Sequence, residues 1–136
     1  MKAAIRDNNP VIVLENELLY GVSFPFSDEA QRDDFVLPIG KAKIERAGTD
    51  VSIVTFSRMV GFSLEAAKVL EKEGLGAELC SLVMESEAFD YLDAPPERVT
   101  GADVPMPYAI NLEKAALPQI DDIVTAVKRT TYRSKK

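Results

Sequence analysis

Two carboxylates near the start of the sequence come closest to a catalytic pair. Glu15 and Glu17 are separated by one residue, so in an extended segment they lie on the same side of the chain. Paired carboxylates are the groups that glycoside hydrolases use for acid and base catalysis. The more ordinary interpretation is that both residues cap the end of a strand and bind backbone amides of the next segment. The sequence contains no histidine, the usual side chain for proton transfer near neutral pH.

Two other short patterns have the residue types of a site. The segment Gly74-Leu75-Gly76 follows no predicted strand, so we interpret it as a turn rather than a dinucleotide-binding loop. Cys80 is the single cysteine, which excludes an internal disulfide and a cysteine-based zinc site. Because leucines stand at 79 and 82 and basic residues lie far away in sequence, we expect a buried, inert thiol.

The charge of the chain limits its partners. The 136 residues carry a net charge of −6 and a pI of about 4.7, which argues against nucleic acid because phosphate binding needs clustered lysine and arginine. One basic cluster near the end is interpreted as a solvated tail, with a docking site for an acidic partner as the alternative. It comprises Lys128, Arg129, Arg133, Lys135 and Lys136. No apolar run approaches the roughly 18 residues of a membrane span, and residues 1–6 are too short for a signal or transit peptide.

Hydrophobic patterns in the first half of the chain predict an α/β arrangement. The apolar run at 11–14 is typical of a strand buried on both faces of a parallel sheet, and the β-branched run at 51–56 predicts a second strand. Ser63 is then predicted to cap a helix at 64–73 that stops at Gly74. The buried stripe of this helix comprises Leu64, Ala67 and Leu70. A strand followed by an amphipathic helix begins an α/β layer structure.

The remaining elements are predicted in the same way. Residues 77–84 are interpreted as a helix, residues 97–99 as a short strand, and residues 21–38, which show no sustained period, as a linker. The last helix has the clearest pattern, because Pro118 opens it and charges at both ends complement its dipole. Its single apolar face comprises Ile120, Ile123, Val124 and Val127.

The run at 99–108, VTGADVPMPY, is rigid and apolar and forms a shaped surface rather than a generic loop. Pro105 and Pro107 fix φ and lack an amide donor, so neither a helix nor a central strand continues through them. Gly101 allows a backbone conformation that other residues avoid, and Asp103 can close a turn by bonding its own backbone.

Taken with two other runs, this segment resembles the beta subunit of pyruvate dehydrogenase, the thiamine-diphosphate-dependent first component of that complex. The other runs are NPVIVLENELLYG at 9–21 and IGKAKIER at 39–46. All three are long, occur in the order of the family and favour the pyruvate enzyme over its branched-chain oxo-acid relatives. The resemblance covers nearly the whole chain.

The resemblance implies an α/β fold in three parts. Residues 1–20 correspond to the end of the pyrimidine-binding thiamine domain and hold its last strand, and residues 21–38 correspond to an interdomain linker. Residues 39–136 resemble the transketolase C-terminal domain, a three-layer α/β sandwich. In that family this domain carries no cofactor, supports dimer contacts and faces the acyltransferase core.

The resemblance also implies an internal deletion near 74–76 that removes part of the sheet. Glu73 and Gly74 match the end of the first helix of the C-terminal domain, whereas residues 76–80 match the start of a later helix. Two strands and the helix between them, on the order of 40 residues, normally intervene. With so little sheet, we expect the apolar face of the last helix to lack cover and the chain to be marginal or molten unless it associates.

One binding site is implied by the resemblance. Residues 4–9 match a stretch that holds a structural potassium ion, with ligands expected from Ala4, Ile5, Asp7 and Asn9. Carbonyl, carboxylate and amide oxygens suit a hard cation. The alternative is an asparagine-rich turn before a strand. The residues that bind thiamine diphosphate and perform catalysis in the family lie outside this sequence, so no catalytic or cofactor-binding residue is assigned.

We therefore expect a beta-subunit fragment of pyruvate dehydrogenase, inactive by itself. In the intact enzyme, thiamine diphosphate decarboxylates pyruvate and the acetyl group passes to lipoamide, forming acetyl-CoA in the complex. The expected partners are the alpha subunit, a second beta subunit in a heterotetramer, and the dihydrolipoamide acetyltransferase core, in the mitochondrial matrix, with the import signal absent from this chain. The alternatives are a non-catalytic interaction module that pairs with the alpha subunit or the core, and an unrelated small-ligand α/β domain.

Overall fold

The computed structural model describes residues 1–80 and 94–131. The chain forms two compact units, Met1–Ala42 and Lys43–Lys136. The finer division at residues 20 and 38 stays a prediction. No helix in the described part of the chain is both long and apolar enough to cross a membrane.

Short turns joined by irregular chain make up the first unit. Its elements are α1 (Lys2–Arg6), a 3-10 turn (Glu17–Leu19) and α2 (Asp28–Gln31). Side chains cap the last two: Asn16 Oδ1 accepts from the Leu18 amide at 3.0 Å and Ser27 Oγ from the Ala30 amide at 3.2 Å. Such caps satisfy amides that have no intrahelical partner, and they stabilise turns too short to form by propensity alone.

Residues 11–14 do not form the buried strand that their sequence predicts. They are extended but outside any sheet, and Ile12 and Leu14 are 86% and 89% exposed. A strand is stable only when its amides and carbonyls pair with a neighbour, and the first unit holds no strand of its own to pair with. The prediction is therefore wrong for this chain, since β-propensity does not supply a partner.

A mixed three-stranded sheet organises the described part of the second unit. It comprises β1 (Ile44–Arg46), β2 (Val51–Val54) and β3 (Ala77–Cys80) in the order β1-β3-β2. β3 is parallel to β2, with Val51 opposite Ala77, and antiparallel to β1 across a bulge. The strand predicted at 51–56 is confirmed over Val51–Val54. The helix predicted at 77–84 is wrong over Ala77–Cys80, which is the central strand, and its remainder lies outside the described residues.

α3 (Met59–Lys72) connects β2 to β3 and completes a βαβ unit. It begins earlier than predicted, so Ser63 is not its cap but a helix residue that is 2% exposed. Its end agrees with the prediction, because Gly74 has a φ of 78°, the left-handed conformation that glycine adopts at helix ends. Of the predicted stripe, Ala67 and Leu70 are fully buried and Leu64 partly so.

The last two helices are α4 (Ile110–Ala116) and α5 (Ile120–Thr130). Pro118 was predicted to be the first residue of α5, but the helix starts two residues later, with Gln119 as its N-cap. The Gln119 amide donates to Asp122 Oδ2 at 2.8 Å and the Asp122 amide bonds the Gln119 side chain, a reciprocal capping box. The strand predicted at 97–99 is absent, and this segment is irregular, although Val99 packs against the core.

The hydrophobic core of the second unit lies where α3 packs against both α5 and β3. Its buried residues are Ala66, Ala67, Leu70, Leu75, Ala77, Ile123, Val124 and Val127. The expectation that the α5 face would lack cover is wrong, since Ile123 and Val127 are each 5% exposed. Three alanines on α3 and β3 permit a close approach of these elements, so α3 packs on the sheet with one side and covers the apolar face of α5 with another.

The run at 99–108 is irregular, as its two prolines require. The reason for Gly101 differs from the prediction: its φ is not left-handed, but a Cβ at this position would lie 3.1 Å from the Ala116 carbonyl oxygen. The Ala102 amide donates to that same oxygen at 2.8 Å, which ties the run to the end of α4. The turn here is closed by the Val104 amide, which donates to the Ala102 carbonyl at 2.8 Å, rather than by the Asp103 side chain.

Candidate functional site

The predicted cation ligands lie together at the end of α1. Ala4 and Ile5 belong to its last turn, Asp7 follows as the C-cap with extended backbone, and Asn9 comes two residues later. Carbonyls in the last turn of a helix have no intrahelical amide to bond, so those of Ala4 and Ile5 are available as acceptors. The predicted set therefore comprises two carbonyls, a carboxylate and an amide within six consecutive residues.

Asp7 and Asn9 form a local turn that fixes the carboxylate. The backbone amide of Asn9 donates to Asp7 Oδ1 at 2.8 Å, and its side-chain Nδ2 donates to the same oxygen at 3.0 Å. The two bonds favour the ionised form, the backbone bond most strongly, and so lower the pKa of Asp7 below its ordinary value. An ionised carboxylate whose second oxygen takes no part in these two bonds is chemically able to bind a cation.

This donor set fits a weakly held hard cation and not a transition metal. In the described part of the chain, no three side chains among histidine, cysteine, aspartate and glutamate converge on one point. A site whose ligands are all oxygens and carry one negative charge suits an alkali ion. The same geometry also fits the alternative prediction, an asparagine-rich turn that binds no ion. The potassium site therefore stays a prediction, with Ala4, Ile5, Asp7 and Asn9 as its residues.

The carboxylates Glu15 and Glu17 do not act as a pair in the structure. Glu15 Oε2 accepts a hydrogen bond of 2.7 Å from the hydroxyl of Tyr20, whereas Glu17 begins the 3-10 turn. The hydrogen bond and the charge of Glu15 stabilise the neutral phenol and raise the pKa of Tyr20. The cap of this turn is Asn16, the residue between the two glutamates. Both predictions for these glutamates are wrong in the structure: they do not act as a pair, and they do not cap a strand, because residues 11–16 form none and the side chain that binds a backbone amide is Asn16.

Two basic residues of α1 make contacts that the sequence did not indicate. Lys2 Nζ donates to the Arg32 carbonyl, and Arg6 Nη2 donates to the Asp33 carbonyl at 2.7 Å. Arg32 in turn pairs with Asp34 at 2.6 Å, and the pKa of Asp34 is lowered, chiefly by this hydrogen bond. Beside them, Glu29, Arg32, Asp34, Phe35 and Val36 line an open hollow of about 290 Å³. Within the first unit, Lys2 and Arg6 therefore anchor α1 to the segment after α2.

A second set of contacts that the sequence did not indicate lies at Gly76, next to the predicted internal deletion near 74–76. Asp50 Oδ2 accepts from the Gly76 amide at 2.7 Å, and the Gly76 carbonyl accepts from the Thr49 and Asp50 amides at 3.1 and 2.9 Å. We call these three residues, Thr49, Asp50 and Gly76, the entry clamp of β3. The predicted turn at Gly74-Leu75-Gly76 is confirmed at Gly74, which lies in the turn after α3, whereas Leu75 and Gly76 are irregular chain leading into β3.

The ends of the second unit's helices are held by ion pairs. Lys128 pairs with Glu73 at 2.7 Å and Arg129 pairs with Glu97 at 2.6 Å. Two members of the predicted basic cluster therefore bind carboxylates of this chain, and Arg133, Lys135 and Lys136 lie outside the described residues. The predicted burial of the Cys80 thiol likewise concerns a side chain outside the described part.

Comparison with protein families identifies the class of domain that this chain contains. The family model for the Transketolase, C-terminal domain matches residues 40–82 and 74–123, which together exceed half of the chain. The chain therefore contains this α/β domain. Among curated proteins, the Arabidopsis thaliana "Pyruvate dehydrogenase E1 component subunit beta-1, mitochondrial" is 53% identical over 99% of this chain and 48% of its own length. The Homo sapiens subunit beta is 49% identical over 96% of this chain and 47% of its length.

A relative from Oryza sativa subsp. japonica, subunit beta-2, agrees, at 49% identity over 98% of this chain and 46% of its own length. The chain belongs to the family of pyruvate dehydrogenase E1 component beta subunits. This membership excludes the unrelated small-ligand domain considered above. All three relatives are named as mitochondrial proteins, which indicates the mitochondrion as the compartment of this chain.

The chain spans about half the length of the curated relatives it matches. The alignment with the Arabidopsis relative runs over 175 positions although the chain has 136 residues, so about 40 positions of that relative face no residue here. The two matches to the family model meet in an overlap at residues 74–82. That overlap contains the entry of β3.

Proposed function

We propose that this chain is a non-catalytic portion of a pyruvate dehydrogenase beta subunit, which contributes to the oxidative decarboxylation of pyruvate and acetyl transfer to lipoamide only as part of the complex. The observation that carries this proposal is the identity of about 50% to beta subunits over nearly the whole chain. A likeness of this extent supports a common role for the matched half. It does not by itself supply a reaction centre.

The proposed assembly follows from that role. The partners are a pyruvate dehydrogenase alpha subunit, a second beta subunit, and the dihydrolipoamide acetyltransferase core, in the mitochondrial matrix. Thiamine diphosphate belongs to the intact enzyme, where it supplies the electron sink for decarboxylation. Neither nucleic acid nor membrane is a proposed partner, in keeping with the net charge of −6.

The described side chains support a role without chemistry. The sequence has no histidine, and the carboxylates with shifted pKa values, Asp7 and Asp34, are exposed groups bonded to their near neighbours. A general base near neutral pH needs a carboxylate pKa raised by burial, whereas the pKa values of these two groups are lowered. Each therefore acts as a structural anion.

The test compares this chain alone with the chain in a reconstituted enzyme. Purified protein is incubated with pyruvate, thiamine diphosphate and magnesium, and carbon dioxide release is measured. We expect no turnover above the protein-free control, and also no turnover when a recombinant alpha subunit is added. Decarboxylation by the purified chain would contradict the proposal. Adding a full-length beta subunit provides the positive control.

A second candidate function is an interaction module that competes with the full-length beta subunit. The observation in its favour is a row of exposed apolar side chains from the end of the 99–108 run into α4. They are Val104, Met106, Tyr108, Ile110 and Leu112, each more than half exposed. An excess of this chain should then reduce the activity of the reconstituted enzyme in proportion to its binding, and no loss of activity would exclude this candidate.

We also propose that Ala4, Ile5, Asp7 and Asn9 bind potassium. The support is the oxygen-only donor set at the end of α1 and the lowered pKa of Asp7. The melting temperature should rise in potassium chloride relative to choline chloride at equal ionic strength, because an ion that binds only the folded state stabilises it. Asp7→Ala should abolish the difference, whereas Asp28→Ala in α2 should retain it. Equal melting in both salts would contradict the proposal.

A further inference from the structure

Residues 74–82 of the second unit are included in both matches to the family model. Residues 74–82 end the first match to the transketolase C-terminal domain and also begin the second. The same amino acids therefore resemble two separate stretches of one domain. The downstream match agrees with the helix that the sequence predicts at 77–84, whereas the upstream match places these residues directly after α3.

The structure follows the upstream match. Ala77–Cys80 pairs in parallel with β2 over four consecutive residues, from Val51 opposite Ala77 to Val54 opposite Cys80. The opposite edge of the same strand pairs with β1. A helix beginning here would leave β1 and β2 without a common neighbour, because neither pairs with the other. The unit would then have no sheet in its described part.

The entry clamp favours the strand locally. The Gly76 amide is bound by the Asp50 carboxylate at 2.7 Å, while the Gly76 carbonyl receives the Thr49 and Asp50 amides. These bonds fix the start of β3 beside the start of β2 and so set the register of the pair. The clamp is also closely packed, since a Cβ at Gly76 would lie 3.3 Å from Asp50 Oδ2 and 3.4 Å from the Thr49 amide nitrogen.

We propose that residues 74–80, which match two stretches of the family domain, take only the upstream strand role in this chain, and that Asp50 is the positioning residue that selects the strand. By forming the strand that follows α3 in the upstream match, the segment completes the βαβ unit. Without it, the absence of roughly 40 positions would leave this unit without its second strand. The second unit is then a self-standing folded domain rather than a fragment with an open core. This inference rests on the sheet and the family match, and it is independent of the proposed function.

The first test examines the unmodified chain. Amide hydrogen exchange and nuclear Overhauser contacts are measured for residues 76–80 in the full-length protein. We expect slow exchange and contacts from this segment to residues 51–54. Rapid exchange, or the sequential amide contacts of a helix across 77–80, would overturn the proposal. A chain with no protected amides at all would overturn it as well.

The second test breaks the clamp. Asp50→Ala should accelerate exchange of the 76–80 amides about tenfold and lower the melting temperature by about 4–8 °C, because it removes a charged acceptor from the Gly76 amide. Asp103→Ala, an exposed aspartate elsewhere in the unit, is the matched control and should change neither. Asp50→Asn, which retains an acceptor oxygen, should restore most of the protection. Equal behaviour of Asp50→Ala and Asp103→Ala would overturn the role of Asp50.

Discussion

At the scale of single residues, the contact between the Tyr20 phenol and the Glu15 carboxylate is an informative one in the first unit. Their 2.7 Å hydrogen bond holds together the two ends of the segment that contains the 3-10 turn. Because the neutral phenol donates this bond, the pKa of Tyr20 is raised, and the contribution to stability is present below the ordinary pKa of tyrosine and lost as the pH rises through the higher folded value.

Glu15→Gln should lower the pKa of Tyr20 toward its ordinary value. The substitution removes the negative charge that opposes the phenolate, while the amide oxygen can still accept a bond. The measurement is a pH titration of the Tyr20 ring signals by NMR. An unchanged Tyr20 titration would contradict the assignment of the shift to Glu15.

Single residues show where sequence reasoning was sufficient. Gly74 at the helix end and the prolines of the 99–108 run were predicted correctly, because the constraint in each case belongs to the residue itself. Ser63 was misassigned as a cap since its small side chain equally suits a buried helix face, and only the packing against the core decides between these roles. The partners of Lys2 and Arg6, carbonyls some thirty residues away, carry no sequence signal.

At the scale of elements, α5 agrees most closely with its sequence. Its charges, its cap and its apolar period all indicate the same helix, and the structure places its face in the core. Two predictions follow from this helix, one for its first turn and one for its buried face.

Asp122→Ala should destabilise the second unit by about 1 kcal/mol, the usual cost of losing a helix-capping side chain. Asp121→Ala is the matched control, because it removes a charge from the same turn without touching the bond to the Gln119 amide. The comparison of the two variants in urea unfolding isolates the capping bond from the helix dipole. Equal destabilisation by both would show that the dipole alone accounts for the effect.

Ile123→Ala should cost about 2–4 kcal/mol, because it removes a buried side chain and leaves a cavity between α5 and α3. Ile110→Ala in α4 changes the same number of atoms at a position that is 70% exposed, and should cost less than about 1 kcal/mol. Thermal and urea unfolding of both variants measures the difference. Similar losses would mean that Ile123 is not in a packed core.

The strands were predicted less well than the helices. The prediction of β2 was correct because its β-branched residues pair with β3. Residues 11–14 are equally apolar, but they have no neighbouring strand and remain exposed. Residues 77–80 were predicted as a helix, since both conformations satisfy their local pattern. Helix formation depends on bonds within a segment, but strand formation depends on a partner elsewhere in the chain, and the sequence alone does not name that partner.

At the scale of the whole molecule, the two units differ in how much apolar surface they bury. The second unit has a closed core, whereas the first has no buried residue in its helices and exposes Ile12, Leu14, Phe24 and Phe26 by more than half each. Such surface is typical of a segment that packs against another chain or domain. Family membership was accessible from motifs, whereas this contrast in burial was not, because it depends on which neighbours are present.

The sheet order β1-β3-β2 also has a consequence for the route by which the chain folds. β1 and β2 are consecutive in the chain and separated by residues 47–50, yet neither pairs with the other, and the strand between them is the last to be synthesised. The sheet therefore cannot grow by addition of successive hairpins, and both its pairings wait until α3 and β3 have left the ribosome. A nascent chain stalled after residue 76 should show no protection of the 51–54 amides in hydrogen exchange, while one extended through residue 131 should acquire it in a single step.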